Sequence, residues 1–218
     1  MKFKHELLPR EELVDITNEK GRIYVTPIGN LPSVTTVIGR SMDKTGLIKW
    51  RENVGEDRAN EILFKAQTRG TAIHNICEKY VMNDPTYHKG VMPTDMETFR
   101  QIKKNIDKHV DIIYGLELPL WSKVLQTAGK TDVIGRWDGK VSIIDYKTSL
   151  RHKTEKDCLG YMLQGTAYAL MMYERYQLHV PGVVVIIAVD GQTDPIIYKV
   201  PTAKYWDKVK EIFITNRS

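Results

Sequence analysis

The sequence predicts an α/β domain with a helical N-terminal layer, and three observations carry that expectation. Apolar residues recur at three- and four-residue spacing through much of the first half, the period of an amphipathic helix. After about residue 115 the period changes, and short runs rich in Val, Ile, Leu and Trp follow, the composition of strands. A further helical stretch lies between the last two of these runs, an alternation that belongs to α/β architectures. With 218 residues the chain can bury one full core. A single domain is expected over 1–218, with 1–115 mainly helical and 116–218 forming the α/β core.

Residues 1–30 are polar and punctuated by Gly and Pro, which suits a short β-rich entry segment. Ser33 stands where it would cap a short helix, but the β-branched run 34–38 argues against one. Helices are expected at 44–54 and 56–82. In the second, Ala59, Ile62, Leu63, Ala66, Ile73, Cys77 and Tyr80 form one stripe for burial, and Asn83, Asp84 and Pro85 end it. Pro93-Thr-Asp95 opens another helix with Phe99, Ile102, Ile106, Val110 and Ile113 inward, and Gly115 is expected to stop it. Strands follow at 116–125, 129–137, 140–148 and 181–190, with a helix at about 155–177 and a closing helix at 202–215. No internal repeat, low-complexity tract or Gly/Ser linker is present.

Bulk properties bound the function. Lys and Arg number 32 against 27 Asp and Glu, a net charge of +5 with pI near 9.0, which is compatible with a polyanionic partner. Two cysteines, Cys77 and Cys158, are too few for a disulfide framework or a four-cysteine metal site, and a reducing compartment is expected. The first residues show no apolar signal region. The longest apolar run, 183–189, is too short to cross a bilayer and reads as a buried strand. Gly135 to Lys140 superficially resembles a phosphate loop, but the spacing is one short and Val141 stands where Ser or Thr is needed. His74 and Cys77 have no second ligand pair for structural zinc, and there is no Gly-x-Ser-x-Gly element.

The most informative segment is 129–147. Asp138-Gly139 lies between two β-rich runs, and such a pair fills a type I′ turn, which requires two positive φ angles. If those two residues form the loop, paired positions sum to 277 and Asp132 falls opposite Asp145, with Cβ atoms about 4.5–5.5 Å apart. Like charges so placed repel, and a divalent cation between them would remove the penalty. Strand alternation puts Lys147 on the face of Asp145. Two carboxylates suit magnesium or manganese, which polarise a phosphoryl oxygen and acidify a bound water, and the lysine would neutralise developing charge. An isolated Asp-x-Lys pair is by itself more often part of a solvated hairpin.

Several strings, in order, resemble the PD-(D/E)xK nuclease superfamily, in particular its RecB-like exonucleases, among them small phage and mitochondrial genome maintenance exonucleases. They are Leu31-Pro-Ser-Val-Thr-Thr36, Trp50, Val54-Gly-Glu56, Arg69-Gly-Thr-Ala-Ile-His74 with Glu78, Gly129-Lys-Thr-Asp132, Ile143-Ile-Asp-Tyr-Lys-Thr-Ser149 and Gln164-Gly-Thr-Ala-Tyr168. The likeness spans about 31–190. Thr131 replaces the proline of the nominal motif, a departure common in this branch, whose Gly-x-x-Asp form Gly129 keeps.

The resemblance implies a restriction-endonuclease-like core, a mixed central sheet flanked by helices. It makes Asp132 and Asp145 metal ligands, the carbonyl of Tyr146 a further ligand and Lys147 the catalytic lysine. It also sets His74 at the metal, although a helical histidine beside an apolar stripe is by itself more often a surface or core residue. Glu117, expected at the start of the first strand, would be a third acidic ligand. Gln164, one helical turn from Tyr168 and following Tyr161, is expected to hold DNA or order the site. Thr148, Ser149, Arg151, His152, Lys153 and Arg69 are candidate backbone-phosphate contacts. Trp121 and Trp137 would stack on bases or pack in the core.

The function implied is that of a Mg2+- or Mn2+-dependent DNA exonuclease preferring single-stranded ends. Alternatives are a structure-specific endonuclease and a catalytically inactive nucleic-acid-binding recombination accessory protein, against which the intact Asp132, Asp145 and Lys147 speak. A relative carrying a cysteine-ligated iron–sulfur cluster is disfavoured by the cysteine count. DNA is the expected partner, with a separate helicase or recombination protein as a further one. The expected location is the cytoplasm of a bacterial or phage-infected cell, away from membranes.

Overall fold

The computed structural model describes residues 3–215. In chain order the elements are β1 (Lys4–His5), β2 (Val14–Asn18), β3 (Gly21–Thr26), β4 (Gly29–Pro32), α1 (Val34–Ser41), α2 (Thr45–Val54), α3 (Glu56–Val81), α4 (Pro93–His109), β5 (Val110–Ser122), β6 (Thr127–Trp137), β7 (Lys140–Ser149), α5 (Leu159–Tyr176), β8 (Gly182–Val189), β9 (Ile196–Pro201) and α6 (Trp206–Lys210), which runs on into one π-helical turn. Six strands form a mixed sheet in the order β1-β5-β6-β7-β8-β9. The β1–β5 and β7–β8 pairs are parallel and the others antiparallel.

The apolar run of β8 shows why this sheet is buried on both faces. Val183, Val185, Ile187 and Val189 pack with α1, α5 and α6, whereas Val184, Ile186 and Ala188 pack with α3 and α4. A continuous apolar strand with no polar face is what a sheet covered on both sides requires. The result is the mixed sheet flanked by helices, a restriction-endonuclease-like fold. A separate three-stranded sheet, β2-β3-β4, rests against β6 through Tyr24, Leu31 and Ala128. No helix among the described residues is long and apolar enough to cross a membrane.

Four local expectations need correction. Residues 34–41 are helical despite their β-branched side chains: the Ser33 hydroxyl accepts the Thr36 N–H at 3.0 Å, and Val34 and Ile38, one turn apart, are buried. The buried stripe of α3 is confined to its C-terminal part together with Ala59; Leu63 is 42% exposed and Ala66 is exposed. That half of α3 has α2 for a neighbour, and α2 buries no side chain of its own. The helix expected over 93–115 ends at His109, and Val110 and Ile113 are buried as strand residues. Ile113 pairs with both His5 and Gly135, so two flanking strands outcompete the helical period. Glu117 therefore lies well inside β5 rather than at its start. Strand β9, beside β8, was not expected, because its half-buried residues show no clean alternation.

Candidate active site

The site is built by a hairpin that comes apart at its open end. Asp138 and Gly139 adopt φ angles of 47° and 79°, as a type I′ turn demands. From Trp137↔Lys140 the pairing runs without slip to Val133↔Ile144, and there the ladder ends. At the next position the Asp132 side chain replaces the backbone: the Tyr146 N–H donates to Asp132 Oδ2 at 2.9 Å. Strand β7 is held from there on by β8, with Asp145 beside Val185. The gap between β6 and β7 is where the candidate site side chains gather.

Asp145 is 4% exposed. Lys147 Nζ lies 2.5 Å from both of its carboxylate oxygens and donates to Oδ1. From α3, His74 Nε2 is 2.7 Å from the Tyr146 carbonyl. A carbonyl only accepts, so Nε2 carries the proton there. The Nδ1 atom then faces Asp132 Oδ1 at 3.4 Å. From β5, Glu117 sits between the pairs Leu116↔Val133 and Leu118↔Thr131, which leaves it across from Asp132, and its carboxylate is 3.1 Å from Lys130 Nζ. His74, Glu117 and Asp132 each offer one ligand atom within 4.8 Å of the others.

Burial and charge set the protonation states. Burial pushes the Asp145 carboxyl up, with Asp132 adding to it and Lys147 opposing, and it titrates at about 6. Burial also works on Asp132, but Lys147, His74 and the Tyr146 N–H pull harder and leave it lowered. Burial disfavours charge on Lys147, yet Asp145 and Asp132 outweigh it and raise the ammonium further. His74 is raised too, because Asp132 overcomes the effect of burial. Glu117 is raised by burial and by Asp132, against Lys130. Opposed shifts of this kind, gathered in a cleft, make the cluster a candidate functional site.

Helix α5 closes the cleft. The Tyr161 ring lies 5.1 Å from Lys147 Nζ, and Gln164 Nε2 donates to the Tyr168 hydroxyl at 3.4 Å. Tyr168 is buried over Gly129, where a Cβ would stand 2.5 Å from its hydroxyl. The cleft, of about 610 Å3, is also lined by Arg10, Arg22, Tyr24 and Lys130. Sequence reasoning missed Arg10, Arg22 and Tyr24, whose place depends on how the N-terminal strands dock; Lys130 had a signal in its neighbours Gly129 and Asp132.

Some candidates lie elsewhere. Arg69 donates to Thr98 at 2.6 Å, pairs with Asp190 and lines a different cavity, of about 560 Å3, between α3, α4 and the end of β8. Thr148 and Ser149 end β7 beside Ala188 and Val189, and the Ser149 hydroxyl donates to the Arg151 carbonyl at 2.6 Å. Trp137 is buried and stacked on His109 at 4.7 Å. Trp121 donates to Glu11 at 3.0 Å beneath the Arg175 guanidinium.

The donor set fits a hard divalent cation. It offers the carboxylates of Glu117 and Asp132 and the imidazole of His74, with ligand atoms within 4.8 Å of one another, and such hard oxygen donors suit Mg2+ or Mn2+. A family model of the PD-(D/E)XK nuclease superfamily matches residues 91–216, more than half of the chain and all of the hairpin; α3 with His74 lies before it. No curated protein matches the chain.

Proposed function

The chain belongs to the PD-(D/E)XK nuclease superfamily, and on that premise we propose that it is a magnesium- or manganese-dependent deoxyribonuclease that degrades DNA from its ends, single-stranded ends preferred. The observation that carries the chemistry is the meeting of Asp132, Asp145 and Lys147 at the split end of the hairpin, with Lys147 Nζ 2.5 Å from the Asp145 carboxylate. Asp132, Asp145, Glu117, His74 and the Tyr146 carbonyl would hold the cation. When bound, the ion supplies Lewis acidity at the phosphoryl oxygen and a more acidic water. Lys147 remains an ammonium between two carboxylates. Its part is therefore to orient the nucleophile and neutralise charge gathering on the phosphoryl oxygens, not to accept a proton. Gln164 and Tyr161 would position the strand being cut, a reading supported by the Tyr161 ring 5.1 Å from Lys147 Nζ and by the hydrogen bond of Gln164 to Tyr168. Thr148 and Ser149 would meet the backbone just beyond, and Arg69 would meet it only along the neighbouring cavity. A helicase or recombination protein would be a separate partner.

End-labelled single- and double-stranded DNA, digested with Mg2+, Mn2+ or EDTA, tests this. Asp132→Ala, Asp145→Ala and Lys147→Ala are each expected to lower kcat by on the order of 10^3. Release of mononucleotides or short oligonucleotides should require the ion. Full activity in EDTA or in Asp145→Ala refutes the mechanism. Degradation of circular single-stranded DNA refutes the exonuclease mode alone.

A further inference from the structure

We propose that Arg10 is a positioning residue: it clamps β5 in a left-handed turn at Glu117, so that the Glu117 carboxylate joins His74 and Asp132 around the cation. The inference rests on the metal-nuclease reading above and adds to it a residue outside the hairpin and outside the catalytic sheet.

Glu117 has φ +43°, a region in which a side chain other than glycine is strained. Its neighbours record the consequence. Leu116 packs in the core under α3 and α4, whereas Leu118 packs in the core under α5. Regular alternation would put these two residues on one face. The turn at Glu117 thus switches β5 from one face to the other and leaves the Glu117 side chain beside Asp132. A second cost falls on the same residue, since its half-buried carboxylate faces another acid, a repulsion that Lys130 and His74 offset in part. A glycine would remove both costs, so the carboxylate itself is what the position retains.

Arg10 is the clamp. The segment after β1 runs along β5, with Glu6 N–H donating to Ile113 O at 2.9 Å and Leu8 N–H to Tyr114 O at 2.8 Å. The Tyr176 hydroxyl fixes the Pro9 carbonyl at 2.7 Å. Arg10 then reaches over the turn, and its Nη1 donates to the carbonyls of Leu116 at 3.0 Å and Glu117 at 2.9 Å. Two carbonyls on either side of the strained φ are gathered by a single guanidinium nitrogen, and the opposite edge of the same group is held by Glu12.

Purified full-length protein and the variants Arg10→Ala, Glu117→Gln, Glu117→Gly, Arg10→Ala/Glu117→Gly and Asp132→Asn are compared by calorimetric Mn2+ titration and by melting in EDTA. Glu117→Gly should melt above wild type in EDTA, because strain and charge repulsion are gone, and should bind Mn2+ at least tenfold more weakly. Glu117→Gln should lose the same affinity. Arg10→Ala should weaken Mn2+ binding several-fold when Glu117 is present and leave it unchanged in the Glu117→Gly chain. Equal loss in both backgrounds, or a lowered melting temperature with unaltered Mn2+ affinity, makes Arg10 merely structural and overturns the proposal. Wild-type Mn2+ affinity in Glu117→Gln with loss in Asp132→Asn overturns it too, while the metal-nuclease reading stands. Unaltered affinity in Asp132→Asn defeats that reading instead.

Discussion

Asp145 is under opposite demands from folding and from chemistry. Buried beside Asp132, its carboxyl is pushed up to about 6 by burial and by that neighbour, against the pull of Lys147. A carboxyl raised in the folded state stabilises the fold most fully below the ordinary carboxylate range, and this contribution is lost as pH rises through about 6. Cation binding runs the other way, because a ligand must be deprotonated. At pH 5 only about a tenth of such a group is ionised. Mn2+ affinity and kcat/KM are therefore expected to be about tenfold lower at pH 5 than at pH 7.5, while this group's contribution to the stability of the metal-free protein moves in the opposite sense. Calorimetry and a pH–rate profile check both limbs. A flat profile between these pH values would mean that Asp145 does not gate the ion.

Helix α5 owes its depth to one missing side chain. A Cβ on Gly165 would stand 2.4 Å and 2.9 Å from the two γ-carbons of Val183 on β8, and a valine at a fixed backbone cannot yield. Gly165→Ala is expected to destabilise by about 1–3 kcal/mol in urea unfolding, with a larger relative loss of activity, because Tyr161 and Gln164 ride on the same helix. Adding Val183→Ala should recover part of the helix position, so the double variant loses less than the sum of the singles; strict additivity would refute the contact. Elements differ in how plainly the sequence announces them. The hairpin is legible because Asp138-Gly139 admits few other turns, and its register holds to Val133↔Ile144. The break after that pair is not legible, since it arises when the Asp132 carboxylate takes a backbone N–H, which counting residues along a ladder does not foresee. The junction of α4 and β5 is hidden because Val110 and Ile113 satisfy a helical stripe and a strand alike. His74 stands out only through the string around it, and Arg10 and Arg22 not at all, because their place depends on N-terminal strands meeting β5 and β6.

The chain as a whole carries 32 basic and 27 acidic side chains, a modest excess whose location matters more than its size. The cleft lies between two sheets: the six-stranded one supplies Asp132, Glu117 and Lys130, and the N-terminal one supplies Arg22 and Tyr24 on β3. Arg22 is half-exposed, with the Tyr24 hydroxyl beside it and Nε 3.5 Å from Asp15 Oδ2. A phosphate entering the cleft would meet its exposed guanidinium. The N-terminal sheet is held to β6 by Tyr24, Leu31 and Ala128, and on the proposed function it would wall the substrate path. Arg22→Ala should weaken binding of a short single-stranded oligonucleotide, measured by anisotropy in EDTA, and should reduce the slope of log K against log salt by about 0.7, one phosphate contact on a single strand. Arg58, paired with Glu61 on α3 and outside the cleft lining, is the control, and Arg58→Ala should leave the slope unchanged. An unaltered slope in Arg22→Ala, or the same drop in both variants, would mean that the excess charge acts diffusely and that the substrate does not pass between the sheets.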